Sequence, residues 1–381
     1  VTGARHGLST TLALAALAAL LVGCASPRAP WPTEQPAKSR TLSAVNPVDE
    51  SIKLSNRAVA SLVATDQPGC SAAVAKDGTV VWAGAAGLAD LATGAPVTTA
   101  TRFDIASVSK QFTATAILML QRKGLLKLSD PIAAYVASLP DWGATVTLDQ
   151  LMHHTSHIPD YWVKLDDIGI GFSQPADQTV TLDAIRRDTT LEPETGFSYS
   201  NSNYVLLAEV VGRVSGQPLP DYLKAHIFDP LRLAMVVAPT LHAPDIALSY
   251  DDDLQLQEAG STSYGHTGII TTPSELARWG DQYRAREIIQ PDLALGAVYV
   301  EPGVHYGAGI DILTNGDLTH SGRMGGFITD FTVSADRRTV ITVMCNGHLS
   351  NRAGLRDALW TIWRPAPAKG PVNGLMAHHA V

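Results

Sequence analysis

Two strand-like runs, residues 70–76 and 79–87, meet at Asp77-Gly78, and this junction limits the fold more than any other feature of the chain. Asp-Gly between apolar runs is the strongest short-range signal for a two-residue antiparallel hairpin. Comparable runs return only at 306–313, 328–334 and 339–345, with Ala335-Asp336-Arg337-Arg338 as a turn between the last two. The stretch from about 128 to 285 has a mostly helical pattern broken by Pro, Gly and Asp, with one helix expected to start at Leu128-Ser129-Asp130-Pro131. A helix over about 49–65 (Ile52, Val59, Leu62, Val63) precedes the hairpin, and an amphipathic one over about 351–363 follows the last strand. Strands at both ends with helices between predict an α+β fold. One antiparallel sheet of N- and C-terminal strands is flanked by the first and last helices, and a helical subdomain is inserted at about 128–285.

The ends of the chain read differently. Arg5 and His6 precede an apolar run from Leu12 to Leu20, too short to span a bilayer comfortably but right for the core of a signal peptide. The run ends in Leu21-Val22-Gly23-Cys24, which looks like a bacterial lipobox with Cys24 as the lipidated residue. Residues 1–24 are therefore expected to be a lipoprotein-type signal, 25–48 a Pro-rich tether, 49–364 the folded domain and 365–381 a loose tail. This places the protein outside the cytoplasm, held to the cell envelope by a lipid anchor. Cys70 and Cys345 lie in apolar strand-like runs. They could pair in an oxidising compartment, but buried free thiols are the favoured reading. A net charge of −8 with no basic block excludes nucleic acid as a partner, and the sequence carries no signal for an oligomeric state.

The chemistry centres on Ser107-Val108-Ser109-Lys110, which leads into a helix with apolar positions Phe112, Ala116, Met119 and Leu120 and a stop at Gly124. Lys110 is on the face of Ser107, where burial and the positive helix end both disfavour an ammonium. A lysine that can lose its proton is a base, and a hydroxyl three residues away is then a candidate nucleophile; the alternative is that Ser107 caps the helix and Lys110 points into water. Tyr199-Ser200-Asn201 is a second candidate: Tyr199, pushed toward phenolate by a nearby lysine, could relay a proton, and Asn201 or Ser202 could cap a helix over 204–214. His320-Ser321-Gly322-Arg323, in a glycine-rich stretch, is a third. A backbone N–H there could face that of Ser107 as an oxyanion hole.

These three triplets resemble the Ser-x-x-Lys, Tyr-x-Asn and Lys/His-Thr/Ser-Gly motifs of the serine β-lactamase-related family, which includes class C β-lactamases, D-alanyl-D-alanine carboxypeptidases, D-aminopeptidases and esterases. The resemblance extends over about 50–363 and takes in 102–130, 148–156, 265–280 and 306–347. It implies a β-lactamase/transpeptidase-like fold and an acyl-enzyme formed at Ser107. Lys110 and Tyr199 would share the proton transfers. Asn201 would hold the amide side chain of the substrate, and His320 would assist near Tyr199 or bind a carboxylate. The N–H groups of Ser107 and Arg323 would form the oxyanion hole, beside Ser321 and Gly322. No metal or organic cofactor is implied, and the substrate is a small molecule or peptide: a D-alanyl-type amide or a β-lactam, or alternatively an ester. A binding module for penicillin or peptidoglycan without turnover is the non-enzymatic alternative.

The chain departs from the family pattern in two places. His320 replaces the usual lysine and weakens the fixed cation expected of a β-lactamase. His157 stands where the family places glycine after His154-Thr155-Ser156, and would be strained if that position needs positive φ. His153 and His157 are spaced as zinc ligands, but the glutamate of H-E-x-x-H is missing and Ile158-Pro159 breaks any helix. Trp162, Asp166, Asp167 and Phe172 lie in a segment of poor helical period, read as a loop that either lines the cleft or merely connects.

Overall fold

The computed structural model describes residues 47–364, apart from 194, 239–242, 258–259, 287, 289–295 and 348–349. Cys24, most of the tether and the tail from 365 lie outside the described residues.

The hairpin forms as its sequence dictates. Strands β1 (Cys70–Lys76) and β2 (Thr79–Ala86) pair antiparallel across Asp77 and Gly78, both at positive φ (51° and 82°), the conformation a tight two-residue turn demands. The C-terminal part supplies β3 (Val298–Glu301), β4 (Val304–Tyr306), β5 (Asp311–Leu313), β6 (Leu318–Met324), β7 (Phe327–Val333) and β8 (Thr339–Cys345). The eight strands form one sheet in the order β2-β1-β8-β7-β6-β5-β4-β3.

Both faces of this sheet are covered, which explains why its strands read as near-continuous apolar runs. Along β1, Ala72 and Val74 point to one side and pack with Val59, Leu355 and Leu359. Those residues come from α1 (Pro47–Leu62) and from the C-terminal helix Arg352–Trp363, whose N-cap Asn351 accepts from Gly354 N. Ala73 and Ala75 point the other way, into a larger core with Phe112, Leu206, Trp279 and Phe331. Its helices include α2 (Lys110–Arg122), α3 (Leu148–Met152), α4 (Tyr161–Asp167), α5 (Gln178–Arg187), α6 (Asn201–Ser215) and α7 (Pro273–Trp279); the C-terminal helix is α8. Gly124 at φ 70° and Gly216 at φ 72° end α2 and α6.

Several sequence expectations change. The helix expected after Pro131 is only a 3₁₀ turn, Ile132–Ala134, because Pro131 bridges to Thr147 as extended chain. The run 306–313 splits into β4 and β5 around Gly307 and Gly309. Gly309 sits at φ 76° where a Cβ would be 2.7 Å from Lys110 O, so the chain must bend against the start of α2. Strand β3 was not foreseen, and residues 320–323 lie inside an interior strand, β6. The segment with Trp162, Asp166 and Asp167 is the helix α4, capped by Asp160. Cys70 and Cys345 are registered opposite each other on β1 and β8, with Cα atoms 4.1 Å apart, and form a disulfide. The reading as free thiols is thereby corrected; strand register, not local composition, brings them together.

Candidate active site

Ser107 lies in a 3₁₀ turn, Ala106–Ser109, that feeds directly into α2. The turn is entered through Ala106 at φ 50°, an uncommon conformation for a residue with a Cβ, held by a hydrogen bond from Ala106 N to Asp104 Oδ1 at 2.7 Å. On the opposite side β6 presses close: a Cβ on Gly322 would be 2.5 Å from Ile105 O and 2.9 Å from Ser107 N. Glycine at 322 is thus required by the approach of one backbone to another.

Lys110 is fully buried. Its Nζ donates to Ser107 Oγ at 3.1 Å, to Asn201 Oδ1 at 2.8 Å and to His266 O at 3.1 Å. Burial pushes the ammonium down to about 7, against an opposing pull from the Asp160 carboxylate. Tyr199 donates its hydroxyl to Ser107 Oγ at 3.0 Å. Its ring lies 4.9 Å from Lys110 Nζ and stacks on His154 with centroids 4.3 Å apart. Burial raises the Tyr199 phenol despite its bond to Ser107, a shift opposite in direction to the expected phenolate, although 40% of the residue's surface is exposed, while burial lowers the Lys110 ammonium.

Asn201 occupies the first turn of α6 rather than capping a later start. Ser200 is the N-cap and makes no side-chain cap bond, while the Asn201 N–H is met by Asp160 Oδ2 at 2.9 Å. Ser202 likewise does not cap; its hydroxyl donates to Pro159 O at 2.7 Å. His320 is buried behind the site, with Nδ1 2.7 Å from Ser321 O and Nε2 3.2 Å from the Tyr306 hydroxyl. Burial and the nearby Lys110 push it down to about 3, so it is a neutral imidazole near pH 7. Arg323 is exposed on β6 and reaches the cleft.

The cleft in front of Ser107 has a volume of about 290 Å³. Asn201 and His266 flank the serine, Trp162 and Phe172 form one wall, and Gln257, Arg323, Met324 and Gly325 complete the lining. The Trp162 and Phe172 rings are stacked at 5.2 Å, so this segment lines the cleft. His157 adopts φ 58°, the positive value that the family glycine suggested. His153 bonds Asp149 O through Nδ1 at 3.0 Å, and among the described residues no cluster of His, Cys, Asp and Glu could hold a metal.

Four contributors were given no role from sequence. Asp160 links to Asn201, and its only sequence signal is an acidic residue before a short helix, after a proline. Tyr161 holds the His266 ring, with its hydroxyl 2.8 Å from Nε2. His154 and His266 sit within family-like stretches where nothing local distinguishes them from core residues. His154 Nδ1 accepts from Ser200 N at 3.2 Å and from Asn203 Nδ2 at 3.0 Å, and burial keeps the ring neutral.

Comparison with known proteins bears on the family and the fold. A family model described as Beta-lactamase matches residues 56–361. The D-aminopeptidase of Cereibacter sphaeroides is 30% identical over 313 residues, which are 77% of this chain and 59% of that protein. Penicillin-binding protein 4* of Bacillus subtilis is 32% identical over 160 residues, 41% of this chain and 35% of that one. The chain thus spans 59% of the length of the D-aminopeptidase it matches. Among solved structures, the D-amino acid amidase from Ochrobactrum anthropi SV3 superposes with a TM-score of 0.69 at 20% identity, covering 83% of this chain and 97% of that one. The penicillin-binding protein from Bacillus halodurans gives 0.69 at 21%, covering 77% and 96%. Both share the fold.

Proposed function

The chain belongs to the beta-lactamase family, and from that premise we propose that it is a serine hydrolase that forms an acyl-enzyme at Ser107 and cleaves amide bonds of D-aminoacyl or D-alanyl type. One observation carries this reading: Lys110 Nζ and Tyr199 OH converge on Ser107 Oγ at 3.1 and 3.0 Å. Near neutrality a large fraction of Lys110 is unprotonated and takes the serine proton as Oγ attacks the carbonyl carbon. The C–N bond then breaks, and the departing nitrogen takes a proton from Tyr199, which recovers one from Lys110. Water, deprotonated by the same pair, releases the acid and restores Ser107. The N–H groups of Ser107 and Arg323 are assigned to the carbonyl oxygen, on the two backbones that Gly322 lets approach.

The relatives named for D-amino acids favour an amide of that configuration, and the Trp162–Phe172 wall offers a surface for an apolar group of the substrate. A neutral, doubly engaged His320 offers no fixed cation for a β-lactam carboxylate. The test is release of p-nitroaniline from D-alanine p-nitroanilide, with the L-anilide, an aryl ester and a penicillin alongside. Turnover of the D-anilide that is lost in Ser107→Ala supports the reading, and an undiminished rate in that variant ends it. Turnover of the ester alone makes the protein an esterase. A lasting penicilloyl adduct without turnover of any substrate makes it a binding module.

Export and anchorage through Cys24 belong to the same proposal. The Cys70–Cys345 disulfide supports them, because such bonds persist in oxidising compartments. Cells fed labelled palmitate are expected to label the wild-type protein and not Cys24→Ser; equal labelling removes the anchor from the proposal.

A further inference from the structure

Asp160 belongs to none of the three motifs, yet it decides which way Asn201 faces. A carboxamide has two ends of similar shape and opposite polarity. Asp160 Oδ2 accepts from Asn201 Nδ2 at 2.8 Å and from the Asn201 backbone N–H at 2.9 Å. A carboxylate only accepts, so it takes the NH₂ end and leaves the carbonyl end to Lys110, whose Nζ donates to Asn201 Oδ1 at 2.8 Å. A flipped amide would set C=O against the carboxylate and lose that bond, and would set NH₂ against the lysine, donor against donor whenever Lys110 is protonated. Asp160 is itself anchored, since its Oδ1 accepts from Trp162 N at the start of α4.

We propose that Asp160 is a positioning residue: through Asn201 it holds Lys110 Nζ against Ser107 Oγ, and it commits the Asn201 carboxamide to the lysine instead of the substrate. This departs from the substrate-holding role that the family resemblance implies for Asn201, and it rests on Ser107 being the nucleophile. The surrounding charges agree. Tyr199 and Tyr204 present their rings to Lys110 at 4.9 and 5.6 Å. His154 and His320 are neutral, and His266 offers its carbonyl while its ring engages Tyr161. Among the described residues Asp160 is the carboxylate whose field acts on the lysine, opposing the effect of burial.

The test follows hydrolysis of p-nitrophenyl acetate by the full chain from pH 5 to 9, comparing wild type, Asp160→Asn, Asp160→Ser and Ser107→Ala. Serine at 160 retains an acceptor for Trp162 N–H without the charge. In both Asp160 variants kcat/KM is expected to fall by about 10- to 100-fold, with the acid limb displaced to lower pH because the lysine has lost its anionic neighbour. A merely structural role would lower the curve at every pH and leave the limb in place, and that result overturns the proposal. If neither Asp160 variant folds by circular dichroism, Asn201→Ala with D-alanine p-nitroanilide decides. A fall in kcat at constant KM supports commitment to the lysine, and a rise in KM at constant kcat refutes it. An inactive Ser107→Ala beside an unmoved limb sinks this inference alone, whereas an active Ser107→Ala sinks the nucleophile assignment on which it rests.

Discussion

The buried amine of Lys110 gives the site a pH signature that can be worked out in advance. Its fall from 10.5 to about 7 by burial corresponds to a bias of about 5 kcal/mol against the ammonium. Only the unprotonated amine accepts the proton of Ser107, so kcat/KM is expected to fall tenfold per pH unit below about 7 and to stand roughly 100-fold below its plateau at pH 5. Asp104 and Asp311, each pushed up to about 6 by burial, titrate close by. Temperature separates them: an ammonium ionises with a large enthalpy, so a lysine limb moves to lower pH on warming, while a carboxyl limb barely moves. The same residue acts on stability. Because its folded value lies below the unfolded one, the unfolded chain holds the extra proton between about pH 7 and 10, and unfolding becomes less favourable as pH rises through that window. The slope is about 1.4 kcal/mol per pH unit, and denaturant titrations should show it in wild type and not in Lys110→Met. A rate profile flat from pH 5 to 9, or a limb that ignores temperature, would refute Lys110 as the base.

Three further outcomes are expected. Tyr199→Phe removes the donor 3.0 Å from Ser107 Oγ and should lower kcat by about 10²- to 10⁴-fold while leaving the Lys110 limb in place, as read in the same rate profile. Cys70→Ala with Cys345→Ala should cost about 2–4 kcal/mol in urea unfolding, since the bond closes a sequence separation of 275 residues. His157→Gly should raise stability by up to about 1 kcal/mol, because it relieves φ 58° and removes a buried Nδ1 that has no partner among the described residues; a lower melting temperature would contradict this.

What was legible in the sequence was what local chemistry fixes. Asp77-Gly78 specifies its own turn, and Ser107 and Lys110 share a face because a helical turn separates them. Tyr199 and Asn201 were found for the same reason, two residues apart at a helix start. What escaped depends on partners distant in sequence. Asp160 looks like an ordinary helix cap until Asn201 is placed beside it, and the direction of the Tyr199 shift depends on how much protein surrounds the phenol. The glycines around His320 gave no local sign of what they approach, whereas Gly322 is there to let β6 pass close to Ser107.

The neighbours of β1 have a consequence for the chain during its synthesis. β1 pairs with β2, made moments later, and with β8, whose Cys345 follows Cys70 by 275 residues. At about 5–20 residues per second, the 275 residues between Cys70 and Cys345 take roughly 14 to 55 s to appear. Throughout that interval β1 keeps an open row of N–H and C=O groups, although its residues 70–75 are all buried in the finished fold. Such an edge is a template for pairing with another chain. The nascent protein therefore carries an aggregation hazard on β1, and the arrival of the strand that ends in Cys345 covers it.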